Sequence, residues 1–434
     1  MKYLSMIGVM SLLIVTTLTQ CDDDEEAGPP LDKPELDPAL VEEGKNIFRF
    51  DTFGDEAFWT DVLHIDKAIL GDANGGYGPG VSPATALAVG LKVDAEALPS
   101  SLVTSINAGD VDLNDPATTV ALLQLDAVVG LKAAFDSDQK LITLGITCAL
   151  CHSTVDDSFQ PGIGKRLDGW ANRDLNVGAI VSLTDNAQPI ADLLNVDEAT
   201  LRTVLAAWGP GKYDAVLFLD GKAQRPDGTI KPDLIPSAYG MQGIELTTYT
   251  GWGDISYWNN MVAVNEMHGI GNFSDPRIND AAKYPVATEN GLYNVTVSND
   301  LVTSKLPALK EYQLSLDPPV PPASSYDQAS ANLGKALFEG KANCATCHTA
   351  PIFADNVLHT PEEMGIDDFE ASRSPTGKYR TTPLRGLFAR AKGGFYHDGR
   401  YATLNDVVNH YDDHFQLGLT STEMDNLVEY LKSL

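Results

Sequence analysis

Apolar and polar positions along the 434-residue chain change rhythm several times, and each rhythm predicts an element. After Lys2, the residues Leu4 to Leu18 form one apolar run. It is too short to span a bilayer comfortably and reads as the hydrophobic segment of a signal peptide. An acidic run from Asp22 to Glu26 then leads into proline-rich sequence, so residues 22–39 read as a linker. Farther on, Thr403 and Asp406 make a capping box. Leu404, Val407, Val408 and Tyr411 follow at i, i+3, i+4, i+7, which predicts a helix with Tyr411 on its buried face. His410 points away from that face and His414 sits near its edge. A related helix opens at Asp254 as N-cap, carries Ile255, Trp258, Val262 and Glu266 as one stripe, and stops at Gly269. Met267 and His268 fall off that stripe. A carboxylate on an apolar stripe is either a structural hydrogen-bonded group or an acid whose raised pKa suits it to proton transfer.

The two helices belong to an internal repeat. Gly44-Lys45-Asn46-Ile47-Phe48 and Gly334-Lys335-Ala336-Leu337-Phe338 share Gly-Lys-x-x-Phe on helical patterns. Pro236-Ser237-Ala238-Tyr239-Gly240 and Gly251-Trp252-Gly253-Asp254 are faint echoes of Pro383-Leu384-Arg385-Gly386 and Tyr396-His397-Asp398-Gly399-Arg400. Trp252 precedes Glu266 by 14 residues, as His397 precedes Tyr411. The repeat therefore puts Glu266 and Tyr411 at equivalent posts.

Cysteine usage gives the chemistry. Apart from Cys21, the cysteines lie in Cys148-Ala149-Leu150-Cys151-His152 and Cys344-Ala345-Thr346-Cys347-His348. C-x-x-C-H is the attachment motif of c-type haem: two thiols add to the vinyl groups and the histidine ligates the iron. A four-cysteine zinc site or redox disulfides are the rival readings, and neither requires a histidine after both pairs. Gly334 stands ten residues before Cys344, whereas Gly44 stands 104 before Cys148, so the first unit carries a long insertion from about Asp51 to Thr143. A glycine-rich loop, Gly71 to Gly80, falls within it. The expected fold is mainly α: two cytochrome c-like haem domains, the first enlarged by loop-rich insertions. Ala215 to Leu219 is expected to add strand residues. The spans are 1–21 for a signal peptide with lipobox, 22–39 for the linker, 40–325 for the first haem domain and 326–434 for the second.

Charge and targeting narrow the setting. Thirty basic against 60 acidic residues give a net charge of -30, which excludes a nucleic-acid-binding surface. Leu18-Thr19-Gln20-Cys21 resembles a bacterial lipobox, so Cys21 is expected to be acylated. That places the protein in the envelope of a Gram-negative bacterium, as a periplasmic or outer-membrane lipoprotein that meets the membrane only through this anchor.

On these motifs, together with Phe353-Ala354-Asp355 and Val407-Val408-Asn409-His410-Tyr411, the segment Tyr326 to Leu434 resembles the bacterial di-haem cytochrome c peroxidase family, which includes MauG-type enzymes. The closing helix, Leu419 to Leu434, shares the resemblance. It implies two covalent haems with His152 and His348 as iron ligands, and Tyr411 as a further ligand at the post where such peroxidases carry Met. It implies Trp252 as an electron relay and Arg385 near a haem propionate. Lys392-Gly393-Gly394 stands where the family's calcium segment lies, so calcium is not expected. His268 or Met267 remains open as a resting ligand of the first iron. The leading function is peroxide reduction at the first haem with Glu266 shuttling a proton. The electron donor is a small protein, a cytochrome or cupredoxin, and a homodimer is compatible. The alternatives are MauG-like or oxygenase-like oxidation of an organic or protein substrate, and a non-catalytic envelope cytochrome.

Overall fold

The structure is a computed structural model that describes residues 35–434. The stretch read as a signal peptide, Cys21 and the acidic run lie outside the described residues. The architecture is mainly α, with short helices joined by long loops and strands only in two-stranded pairs. Among the described residues, no helix is long and apolar enough to cross a membrane.

Helix α1 (Pro38–Phe50) starts inside the stretch read as linker, because Asp37 caps it, accepting from the Ala39 amide at 2.9 Å, and Pro38 occupies the first turn. The hairpin of β1 (Leu131–Phe135) and β2 (Leu141–Ile146) then delivers the first cysteine pair to the short helix α2 (Ala149–His152). Strand β3 (Lys212–Tyr213), helical turn α3 (Leu217–Asp220) and strand β4 (Asp233–Leu234) follow. Leu217–Asp220 is thus helical, not the expected strand. The Asp214 carboxylate accepts from the Leu217 amide at 3.0 Å and starts the turn, and Gly221 at φ 70° stops it.

Helix α4 (Ile255–Met261) is capped by Asp254 as expected, with the Tyr257 amide donating to it at 2.8 Å. It does not run as an α-helix to Gly269. Val262–Glu266 forms a π-helical turn, and His268, at φ 64°, takes the left-handed stop expected of Gly269. The chain continues with α5 (Leu306–Ser315), α6 (Gln328–Glu339), α7 (Phe369–Arg373), α8 (Leu404–Phe415) and α9 (Ser421–Ser433). Helix α8 opens with the Thr403–Asp406 capping box.

Two helix pairs repeat one packing solution. A Cβ on Gly44 of α1 would stand 1.9 Å from the Ala308 carbonyl oxygen of α5, and one on Gly334 of α6 would stand 2.0 Å from that of Asn426 on α9. Only glycine permits either approach. Phe48 meets Tyr312 edge-on at 5.4 Å, and Phe338 meets Tyr430 edge-on at 5.2 Å. Glu311 accepts from the amide of Asp37 at 3.3 Å, and Glu429 accepts from that of Asp327 at 2.6 Å. Leu309-Lys310-Glu311-Tyr312 and Leu427-Val428-Glu429-Tyr430 are the matching sequences.

Separate apolar clusters lie under the first pair, under the second pair, and within the inserted chain around Leu63, Leu123 and Leu205. The two halves meet through backbone and side chain alike. The Leu234 amide donates to the His397 carbonyl at 2.6 Å, and the Tyr239 hydroxyl donates to the Gly386 carbonyl at 2.7 Å.

Candidate functional site

Each C-x-x-C-H segment opens onto its own cavity. The first cavity, of about 320 Å³, is lined by Cys148, Cys151 and His152. The second, of about 180 Å³, is lined by Cys344, His348 and Tyr411. Cys148 and Cys151 lie on the first cavity and Cys344 on the second, so the four thiols are not gathered as one zinc site. Cys347 is not on the second wall; its Sγ lies beside Asp355 and His359.

Both histidines are held for ligation. His152 Nδ1 is 3.0 Å from the Pro236 carbonyl oxygen, and His348 Nδ1 is 3.1 Å from that of Phe353. A carbonyl can only accept, so Nδ1 carries the proton and Nε2 keeps its lone pair. Burial lowers the pKa of both rings, which keeps them neutral.

The first wall carries the acid–base groups. Glu266 is 8% exposed, and its pKa is pushed up to about 8 by burial. Its Oε2 accepts from the Tyr213 hydroxyl, while Oε1 is buried without a partner. The π-turn sets this residue; such turns often occur at functional sites. His268 lines the same cavity, stacks on Phe58 at 3.7 Å, and is held neutral by burial, with its pKa lowered to about 4. Met267 lines it too.

Tyr411 lines the second cavity on α8, beside Tyr396 at a ring distance of 6.2 Å. Burial pushes its phenol up to about 12. His410 turns to the Met364 carbonyl at 3.0 Å, and His414, exposed, turns to that of Glu363 at 3.2 Å.

Two expected residues sit elsewhere. Trp252 is 3% exposed but lines neither cavity; it packs at 5.2 Å against Trp258, one of three tryptophans, with Trp59 and Trp208, on the first wall. The residues lining both cavities are Tyr249 and Arg380. Arg385 also lines neither cavity, and the second wall instead carries Arg173, Arg380 and Arg390. Arg173 Nε and Nη1 and Arg380 Nη1 are buried without partners. Orphaned guanidinium donors of this kind await an anion. On the first wall a pair of thiols, a neutral imidazole and the unpaired Arg380 Nη1 suit a haem with its carboxylate rim; on the second, Cys344, His348 and the unpaired donors of Arg173 and Arg380 suit one, and Cys347 would have to turn from Asp355 and His359 to join it. Arg173 and Arg380 were missed because neither lies in a motif; their signal is burial without partners.

No protein-family profile matches the chain. It is 36% identical over 90 residues to the methylamine utilization protein MauG of Methylorubrum extorquens, covering 19% of this chain and 25% of that protein. It is 29% identical over 145 residues to the cytochrome-c peroxidase IdrP2 of Pseudomonas sp., covering 24% of this chain and 39% of that protein. The chain thus spans between a quarter and two-fifths of these curated relatives. A solved variant of the diheme peroxidase BthA from Burkholderia thailandensis aligns with 92% of this chain and 86% of its own at 13% identity and a TM-score of 0.28.

Proposed function

We propose, from the premise that the chain is related to the bacterial di-haem cytochrome c peroxidase and MauG family, that it is a di-haem c-type oxidoreductase reducing hydrogen peroxide in the first cavity. The observation that carries this reading is the buried Glu266 carboxyl, free at Oε1, on the wall that holds Cys148, Cys151 and His152.

Cys148, Cys151 and His152 would hold one haem, and Cys344, Cys347, His348 and Tyr411 the other, within residues 40–325 and 326–434. His268, on the same wall as His152, would be a further residue able to hold the first haem's iron in the resting state. Bound there, haem supplies the iron coordination and one-electron chemistry that no side chain on either wall provides. The chain's own residues handle protons and access. Glu266 is protonated at neutral pH, so it donates to one peroxide oxygen and recovers a proton afterwards. The Tyr213 hydroxyl fixes the carboxyl so that Oε1 is the atom that gives and takes. Apolar neighbours such as Leu144, Leu150 and Val262 exclude bulk water. Tyr249 and Arg380 separate this chamber from the second. A small electron-donor protein supplies the electrons, and acylated Cys21 tethers the chain to the envelope membrane.

The excess volume and apolar lining of the first cavity favour a second reading, oxidation of an organic substrate there. Peroxide turnover with a dye donor separates the two. Glu266→Gln is expected to lower kcat for peroxide by about 100-fold or more, with the ferric absorption spectrum unchanged. Equal turnover by the variant, or a spectrum indifferent to stoichiometric peroxide, overturns the proposal.

A further inference from the structure

Arg373 at the end of α7 reaches from the second half of the chain into the wall of the first cavity. Its Nε donates to Asp220 at 2.8 Å, Nη1 to Asp214 at 3.0 Å and Glu370 at 3.2 Å, and Nη2 to Asp214 at 2.8 Å and Asp220 at 3.2 Å. All five N–H groups of one guanidinium are thus shared among three carboxyls. A fourth, Asp233 on β4, faces Glu370 with Oδ1 buried and unpartnered. Arg373 is 3% exposed, Asp220 3%, Glu370 6% and Asp214 7%. Asp214, Asp233 and Glu370 line the cavity, and Asp214 directly follows Tyr213, the partner of Glu266.

Among the described residues, Arg373 is the one cation hydrogen-bonded within the cluster, with Lys212 and Lys283 farther off, and it cannot by itself balance four closely packed carboxylates. Mutual repulsion and lost hydration force some of them to stay protonated. Their oxygens are also not gathered as a cation site; among the described residues the only such groupings are Cys347 with Asp355 and His359, and Asp367 with His397 and Asp398.

We propose that the Arg373 cluster is a proton store for the first cavity, with Glu370 and Asp233 as its exchangeable members. Its use rests on the peroxide reading: H2O2 + 2 H+ + 2 e− gives two water molecules as the O–O bond breaks. The electrons come from the donor protein. Glu266 gives one proton, the store gives the second by way of the Tyr213–Glu266 pair, and both donors recover their protons from bulk solvent. Burial, the first cause in each case, pushes Glu370 up to about 7 and raises Asp233 and Asp220. Other groups tune the store. Lys212, Asp398, Tyr379 and Tyr249 act on Asp233, and Lys283 and Tyr284 face Asp220.

The test is an infrared pH titration of the haem-loaded full chain in H2O and D2O. The expected result is an isotope-sensitive signal of protonated carboxyl that fades as pH rises through about 7. Glu370→Gln and Asp233→Asn each remove part of it, and Glu266→Gln leaves that part in place. If those variants do not accumulate, Glu370→Asp must move the midpoint of the signal. A signal untouched by these changes, or one discharged by added calcium, overturns the store. Peroxide inertness with the signal intact instead defeats the function and spares the store.

Discussion

Glu266 shows how far a residue's surroundings decide its chemistry. One oxygen is tied to Tyr213 and the other faces the cavity unpaired. The Tyr213 hydrogen bond favours the charged carboxylate and so partly offsets burial. Tyr213→Phe is therefore expected to move the pKa of Glu266 upward. Measured as the pH profile of peroxide turnover, the alkaline limb should shift to higher pH, and a shift to lower pH would contradict this account. The two C-x-x-C-H segments were legible in the sequence by their fixed spacing, and the structure puts Cys148, Cys151 and His152 on one cavity and Cys344 and His348 on another. Arg173, Arg380 and Tyr249 were not legible, since cavity walls are assembled from segments far apart in the chain.

At the scale of elements, the clearest result is the duplicated helix pair. Gly-Lys-x-x-Phe could be read in both α1 and α6, and so could the capping of α4 and α8. The partner of α1 could not. Helix α5 repeats only Leu-x-Glu-Tyr, a signal that becomes meaningful once Tyr312 and Tyr430 are seen against Phe48 and Phe338. The π-turn was also invisible, because a 100° periodicity test assumes the geometry it is meant to find. Gly44→Ala and Gly334→Ala force a Cβ against a carbonyl oxygen in each pair. Each is expected to cost about 3 kcal/mol, seen as a Tm lowered by several degrees in the haem-loaded protein. An unchanged Tm for both would refute the close-packing argument.

For the whole molecule, buried acids set the response to pH. Burial pushes Asp55 to about 9, Glu266 to about 8 and Glu370 to about 7. The folded state therefore binds more protons than the unfolded chain between the ordinary carboxylate range and these values, so stability falls as pH rises through that window. The net charge of -30 adds self-repulsion in the same direction. Urea unfolding at pH 6 and at pH 9 should give the lower midpoint at pH 9; equal midpoints would contradict these raised values. The duplicated clasp has a temporal consequence as well. Gly334 needs Asn426 and Tyr430, near at hand in the chain, whereas Gly44 must wait for Ala308 and Tyr312. Closing that longer loop costs about 1 kcal/mol more in chain entropy. On the proposed export, a polypeptide emerging amino-terminus first would keep its leading helix unclasped until much of the molecule had crossed, and the thiols at 148 and 151 would stay open to the proposed haem attachment for longer than those at 344 and 347.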